Sequence, residues 1–377
     1  INAVYVLKGP QFYVLARRTA NPSDSSFAFA DSFRWKDFVY NKPTEFTDTF
    51  LHIRMQTPVK PDLDAGIRGI IEKAARESAE GNNSTGYITY WPRPKNAFLK
   101  SDSTGEMVSI TVQEYPKYYY IKNREKFWEK EIEGYVGKED MRLQTKIPVS
   151  LPGNISGYRF TITDTGSART IERMILLKGK YMYSLATMSD TLTRTGGFAK
   201  TVFDSFSPAD NRDSFDVYSS KLNLFFSDLF SSDSALHKKA QQSLTGVNFG
   251  PQGAPLLMNA IDRININDKD YFDTKAKMIA ELGYIEDSVT DEIPQYLKKI
   301  YNQTADTSLF QNEAVTALAR LRTAGSFRIL KEIMLQDPPI FEEEDDYSTL
   351  FNNLSDTLEL SRMLYPDLLQ LATLQDY

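Results

Sequence analysis

The chain has 377 residues and a formal net charge of −6, with 41% hydrophobic and 25% charged residues, a composition typical of soluble folded domains. Its pI near 5.3 argues against a nucleic-acid partner, because such a partner usually requires a concentrated basic face. The absence of cysteine excludes disulfides, thiolate nucleophiles and cysteine-ligated metal centres. No stretch approaches the apolar length of a membrane span, so we expect no transmembrane helix.

An internal repeat opens the chain. Residues 6–16 read VLKGPQFYVLA and residues 176–186 read LLKGKYMYSLA, and Asp-Ser-Phe follows each copy, at 31–33 and at 204–206. Each copy predicts a β-hairpin that turns at Lys-Gly and is followed by a short helix. Because the second copy closes a unit and the first opens the chain, we expect the chain to begin inside a first unit, with roughly 130 residues of that unit missing.

The residues between the two copies predict a complete α+β unit with a mostly antiparallel sheet. An apolar face predicts a helix over 64–80, a Gly/Asn/Ser loop follows at 81–86, and a charged helix is expected near 125–133. Short helices are expected over 27–33 and from 196 or 197 to 206. β-rich runs predict strands over 3–7, 12–16, 49–56, 87–90, 107–115, 118–121, 141–147, 157–164, 172–177 and 181–187.

A Lys-Gly hairpin followed by a helix that closes on Ser-Phe resembles the C-terminal portion of the PsbP/Mog1-like fold. The resemblance covers about the last forty residues of each unit and assigns no site residue. Domains of that class generally bind or scaffold other proteins, so the resemblance implies a binding role.

From about residue 215 the pattern becomes helical and repeats. Alanines recur at Ala240, Ala276 and Ala314, each in an apolar helix that precedes a turn and a second helix. A helix pair cannot bury its apolar stripe alone, so we expect the pairs to stack into an all-α solenoid, with the small alanines allowing close helix approach. The pattern resembles HEAT repeats, with a first helix at 218–230 and a terminal cap at 348–374. The predicted divisions are 1–40 (end of a first α+β unit), 41–210 (a complete second unit) and 215–377 (HEAT-like α-solenoid).

The sequence predicts no catalytic residues, no cofactor and no metal. Its two histidines, His52 and His237, fall in different predicted domains, so a clustered imidazole pair is not expected. The glycines of 246–253 lack the lysine and the preceding strand of a phosphate loop. The acidic stretch 262–270 offers oxygen ligands for calcium but lacks the glycine and glutamate of an EF-hand, and the alternative is a polar connection that caps the next helix.

Aromatic residues concentrate around Trp91, Tyr118, Tyr119 and Tyr120, which are the candidate binding residues for a protein partner or a glycan. Core packing and sheet propensity are the alternative explanation. The acidic run 342–346 is either a solvated loop or a docking point for a basic partner.

The tripeptide Asp-(Ser/Thr)-(small aliphatic or Thr) occurs five times and resembles the O-glycosylation sequon of exported Bacteroidota proteins. The candidate acceptors are Ser103, Thr191, Ser234, Ser288 and Thr357. The resemblance implies a periplasmic or cell-surface/extracellular location. Asp-Ser and Asp-Thr pairs also favour helix caps and turns, and the two explanations are compatible.

Together these patterns predict a non-enzymatic protein-binding scaffold module of a larger exported bacterial protein, with the partner held on the helical repeats. One alternative is an accessory region of an enzyme whose catalytic domain lies upstream. Another is a carbohydrate-binding α+β module that uses the tyrosine cluster. The sequence predicts no oligomeric state.

Overall fold

The computed structural model describes residues 1–8, 11–18, 20, 28–34, 38–63, 91–137, 140–190, 197–209, 215–285, 292–341 and 344–373. The chain divides into two compact units, Ile1–Ser219 and Ser220–Tyr377. The first combines antiparallel sheets with helices and the second is helical, so the α+β class predicted for the chain is confirmed. Among the described residues, no helix is both long and apolar enough to cross a bilayer.

The first unit is built mainly from antiparallel strands. In chain order its elements are β1 (Asn2–Lys8), β2 (Gln11–Arg17), α1 (Ala28–Ser32), β3 (Thr44–Asp48), β4 (Ile53–Thr57), β5 (Lys95–Lys100), β6 (Met107–Glu114), α2 (Arg124–Val136), β7 (Met141–Leu151), β8 (Ile155–Asp164), β9 (Arg169–Lys178), β10 (Tyr181–Asp190), α3 (Gly197–Ser205) and β11 (Ser207–Pro208).

Both copies of the internal repeat form a hairpin followed by a short helix, as predicted. β1 and β2 pair antiparallel and precede α1, whereas β9 and β10 pair antiparallel and precede α3. At the second turn Gly179 has φ 55, a conformation that glycine adopts without steric cost. The surroundings of the hairpins differ, because β9 and β10 are interior strands of a six-stranded sheet while β1 and β2 form a sheet of two. Tyr5 is accordingly 67% exposed, whereas its repeat equivalent Ile175 is fully buried.

The six-stranded sheet has the order β5-β6-β10-β9-β8-β7, and every neighbouring pair is antiparallel. Alternate residues of β9 enter two separate cores. Met174 and Leu176 face α3 and β4, while Ile175 and Leu177 face α2. Because side chains alternate across a strand, the central strands are covered on both faces.

A glycine permits two of these strands to approach closely. A Cβ built on Gly157 of β8 would lie 1.8 Å from the carbonyl oxygen of Ile175 on β9. No real side chain tolerates that distance, so the position requires glycine.

The structure corrects three strand predictions. Only the second half of the predicted strand 49–56 is a strand: residues 49–52 form the turn between β3 and β4, and β4 begins at Ile53. In this turn Asp48 accepts a hydrogen bond from the Leu51 amide at 2.7 Å and His52 has φ 54. Residues 118–121 form a turn and an irregular segment rather than a strand. β5 was not predicted, although Ala97 and Leu99 alternate with exposed residues. The predicted helix 64–80, loop 81–86 and strand 87–90 lie outside the described residues.

The second unit is helical throughout the residues that the structure describes. Its elements are α4 (Leu222–Leu229), α5 (Ser234–Ser243), a 3-10 turn (Leu244–Gly246), α6 (Gly250–Arg263), α7 (Tyr271–Leu282), α8 (Glu292–Gln303), α9 (Ser308–Arg320), α10 (Ala324–Gln336), α11 (Glu344–Ser355), α12 (Leu358–Ser361) and a 3-10 segment (Asp367–Thr373).

α9 is the central helix of this unit and packs against α7, α8, α10 and α11. Most of its residues are buried, including the polar Gln311, Asn312 and Thr316, as expected for a helix with neighbours on several sides. The repeat alanines Ala240, Ala276 and Ala314 are all buried. Small residues also set the contact between α7 and α9, because a Cβ on Gly283 would lie 2.8 Å from the Cα of Ala317.

Candidate functional site

A pocket of about 590 Å³ lies in the helical unit, where the ends of four helices meet. The C-terminal ends of α6 and α8 and the N-terminal ends of α7 and α9 supply its lining. Its volume is within the range of sites that hold a small molecule or a few side chains of a partner.

Three exposed apolar residues line this pocket together with polar ones. Ile266 is 67% exposed, Phe272 49% and Leu309 38%. The ring of Phe272 stacks on the buried ring of Phe310, with the centroids 5.8 Å apart. Exposed apolar residues are common singly, but a group of them around a concavity is typical of a binding site.

The Lys275 side chain contributes a positive charge to the lining of the pocket. The Lys275 ammonium lies 5.3 Å from the ring centroid of Tyr271 and 5.2 Å from that of Phe310, and it hydrogen-bonds the Tyr271 hydroxyl at 3.1 Å. Within the described parts of the chain no carboxylate lies within salt-bridge distance of it. Aromatic faces attract a cation but leave it able to pair with an anion, so Lys275 can receive a carboxylate.

The acidic groups beside the pocket already have partners. The Asp262 carboxylate accepts a hydrogen bond from the Tyr296 hydroxyl at 2.9 Å and lies 3.7 Å from the Lys299 ammonium. Asp306 accepts a hydrogen bond from the hydroxyl of Thr307. Asp262 thus has a cationic partner, whereas Asp306 and Lys275 each line the pocket with only neutral partners among the described residues, and Lys275 is the charge that can attract an acidic group.

The acidic stretch 262–270 forms a connection that its own side chains hold together. Asp268 accepts a hydrogen bond from the Asn265 amide at 2.8 Å, and the Asn265 side chain accepts one from the Asn267 amide at 2.9 Å. The described residues contain no group of three or more side chains arranged to hold a metal ion.

The predicted aromatic residues divide into two sets. Trp91, 41% exposed, meets Tyr115 and Tyr119 edge-on, and these two tyrosines stack with centroids 4.4 Å apart. Tyr118 and Tyr120 are only 1% and 8% exposed and lie in the interior. The structure thus brings together Trp91 and Tyr119, whereas Tyr118 and Tyr120 are too buried to contact a surface ligand.

The aromatic cluster is partly buried and lies near the Glu131 carboxyl group. Burial and the nearby Glu131 carboxylate raise the pKa of Tyr119 to about 12. Burial also raises the pKa of Glu131 itself. Tyr115 and Tyr119 therefore stay neutral at physiological pH and present hydroxyl groups and ring surface.

The two histidines belong to different units. His237 has Nδ1 within hydrogen-bond distance of the Leu229 carbonyl oxygen in the helical unit. His52 packs on Tyr181 in the first unit with centroids 5.0 Å apart, and burial lowers its pKa, with Lys95 adding to the effect.

Three of the five candidate glycosylation residues are described. Ser103 is exposed in the turn between β5 and β6, and Ser234 is exposed as the first residue of α5. Asp233 caps α5, accepting a hydrogen bond from the Ala235 amide at 2.8 Å. Thr357 is partly buried and donates to the Asn353 carbonyl at 2.9 Å.

The remaining sequence predictions here fall largely on undescribed positions. Thr191, Ser288 and the first two residues of the acidic run 342–346 lie outside the described residues. The last three residues of that run begin α11.

Sequence reasoning singled out the acidic stretch 262–270, to which the pocket residue Asp262 belongs, but none of the exposed apolar residues of the pocket. Ile266 lies in a polar connection, while Phe272 and Leu309 follow helix starts, so no periodic pattern marks them. The one local signal is an apolar residue in a connection expected to be polar.

Comparison with known proteins assigns no family. No protein-family model matches the chain, and no curated protein matches it. A solved structure from Bacteroides thetaiotaomicron VPI-5482 matches 64% of this chain and 77% of its own, at 9% identity and a TM-score of 0.25. That degree of likeness supports no argument about fold or function.

Proposed function

We propose that the chain is a protein-binding module whose helical unit, a HEAT-like solenoid, holds a partner at the pocket between α6, α7, α8 and α9. The partner segment presents a bulky apolar side chain next to an acidic one. The observation that carries the proposal is the exposed apolar rim formed by Ile266, Phe272 and Leu309 around the cation of Lys275.

The helix packing supports the solenoid part of the proposal. Odd-numbered helices neighbour one another, α7 with α9 and α9 with α11, and the even-numbered α8 neighbours α10. Two parallel rows of helices are what stacked helix pairs produce, and the buried alanines fall at matching places in the first row. Such repeats commonly bind partners along an extended surface.

The rim and the cation act differently on a partner. Covering a large apolar side chain contributes about 1.5–3 kcal/mol at full burial, so the half-exposed rim residues supply a smaller share each. An exposed charge pair adds about 1 kcal/mol or less. The apolar contact therefore supplies most of the affinity, and Lys275 selects an acidic neighbour.

A displayed library of random peptides tests the proposal. We expect selection on the full chain to enrich peptides that place Asp or Glu beside Phe, Leu, Ile or Trp, and we expect these peptides to bind the Ile266→Asp variant more weakly than wild type. Leu358→Asp is the matched control, because Leu358 is also 67% exposed but lies outside the pocket. Peptides that bind both variants as well as wild type would refute the pocket as the site.

Trp91 favours a second candidate function, binding of a glycan by the first unit. Its exposed ring stands edge-on to the stacked pair of Tyr115 and Tyr119, with the Glu131 carboxylate nearby. Aromatic faces beside polar groups suit sugar rings. A glycan array probed with wild type and Trp91→Ala tests this, and absence of any signal from wild type removes the candidate.

We also propose that the first unit is PsbP/Mog1-like and that the protein is exported and O-glycosylated. Exposure of Ser103 and Ser234 supports accessibility to a transferase. Mass spectrometry of peptides from the native source tests the modification, with hexose on these residues expected. Unmodified peptides at both positions would contradict it.

A further inference from the structure

A guanidinium on the six-stranded sheet lacks the acidic partner that such a group usually has. Arg173 of β9 lies on the same sheet face as α2, half-buried, with its guanidinium carbon 4.0 Å from the ring centroid of Tyr135. Its Nη1 is 3.5 Å from the Ser184 hydroxyl oxygen, at the outer limit of a hydrogen bond. In the part of the chain that the structure describes, no carboxylate lies within salt-bridge distance of it.

Arg159, on the opposite face of the sheet, has the carboxylate partners that a half-buried guanidinium usually has. Its guanidinium pairs with Glu172 at 2.5 Å and with Asp204 at 2.7 Å. The carboxylates and their hydrogen bonds raise the pKa of Arg159 against the effect of burial. Burial lowers the pKa of Arg173, and only the Tyr135 hydroxyl opposes that effect.

The strand neighbours of Arg173 are small or polar side chains that can offer a ligand hydrogen bonds. Ala186 is the residue directly opposite Arg173 on β10, and Ser184 lies two residues away on the same face. Thr111 pairs opposite Ser184, is partly exposed and donates to the Asn96 side chain at 2.8 Å. Small and hydroxyl-bearing side chains therefore extend from Arg173 towards the β5 edge.

The contact with Tyr135 favours binding of an anion. The ring restricts the Arg173 side chain, so less side-chain freedom is lost when two parallel hydrogen bonds form. Partial burial strengthens the attraction to an anion, and an unpaired half-buried charge is costly to the free protein. An oxyanion ligand would remove that cost.

We propose that Arg173 is the centre of an oxyanion-binding site on the sheet face beside Tyr135, taking a carboxylate or a phosphate group of a small ligand through two parallel hydrogen bonds from its guanidinium. The site lies in the first unit and is independent of the peptide pocket proposed above.

Isothermal titration of the full chain with inorganic phosphate, with glucuronate and with glucose tests the site. We expect phosphate or glucuronate to bind and glucose, which is neutral, to bind neither wild type nor variant. Binding of phosphate alone assigns a phosphate ligand, and binding of glucuronate alone assigns a carboxylate on a ring. Arg173→Met should weaken the bound anion about tenfold or more, and Arg173→Lys, which keeps the charge but loses the planar fork, should weaken it less.

Arg142→Met is the matched control, because it removes one positive charge from an exposed position on β7. It should leave the dissociation constant unchanged within about twofold, since long-range charge effects are screened. The far-UV circular dichroism spectrum and melting of Arg173→Met should match wild type, which separates lost binding from lost folding. The proposal is overturned if neither anion binds wild type more tightly than Arg173→Met, or if Arg142→Met weakens binding equally.

Discussion

Replacing Glu281 by glutamine should stabilise the helical unit at alkaline pH and not at acid pH. Glu281 on α7 is buried where Gly283 brings α7 against α9. Burial raises the pKa of its carboxyl from 4.5 to about 7, although Arg320 acts in the opposite direction. The stability due to the protonated carboxyl is fully present below about pH 4.5 and is lost as the pH rises through 7, where the folded protein must hold a buried anion.

The magnitude follows from the two pKa values. A folded pKa of about 7 against an ordinary 4.5 corresponds to about 3 kcal/mol, fully expressed above pH 8. Glu281→Gln should therefore raise the free energy of unfolding at pH 8 by up to about 3 kcal/mol, less the cost of burying the amide. At pH 4 the two proteins should agree within about 0.5 kcal/mol.

Hydrogen exchange read by mass spectrometry gives the local stability of α7 and α9 without requiring the whole chain to unfold in one step. The control is Glu359→Gln, which changes the same group at an exposed position on α12 and should alter protection at neither pH. Equal protection of wild type and Glu281→Gln at pH 8 would refute the reasoning, because it would mean that the carboxylate is solvated.

Three further substitutions test the packing. Gly157→Ala should destabilise the first unit by about 3 kcal/mol or prevent folding, because its Cβ meets the Ile175 carbonyl oxygen. Urea unfolding followed by tryptophan fluorescence measures the free energy of unfolding, and a loss below about 1 kcal/mol would contradict the strand spacing. Gly134→Ala, in α2 with nothing within 4 Å of the added Cβ, should instead stabilise by about 0.5–1 kcal/mol in the same assay; a loss would mean that α2 is not helical there. Asp233→Ala should cost about 1 kcal/mol by removing the cap of α5, seen as faster exchange in its first turn, and unchanged exchange would contradict the cap.

The sequence was most informative where packing follows a simple period. The hairpin pattern around Lys178 and Gly179 appears twice, and both copies fold as hairpins. The alanines of the helical repeat mark buried contacts because only a small side chain lets helices approach closely. The unpredicted β5 has only three apolar residues in a row, Ala97, Phe98 and Leu99, which shows no alternation with polar residues and is too short to separate it from a loop.

Turns and tertiary contacts could not be predicted from periodic sequence patterns. The turn at 49–52 depends on the side chain of Asp48 binding a backbone amide, which interrupts an otherwise strand-like run. Tyr118 and Tyr120 belong to an aromatic-rich segment, and composition does not tell which rings face inward. The pairing of Arg159 with Glu172, and the absence of a described acidic residue at Arg173, depend on strand register, which a single sequence does not specify.

The most direct test of the central claim is the affinity of one selected acidic-apolar peptide, measured by titration calorimetry against wild type, Ile266→Asp and Leu358→Asp. The account predicts that Ile266→Asp weakens the peptide about tenfold or more, because a charge replaces apolar contact on the pocket rim. It predicts no more than about a twofold change for Leu358→Asp, which adds the same charge elsewhere. Equal affinity for all three proteins would contradict binding at the pocket between α6, α7, α8 and α9.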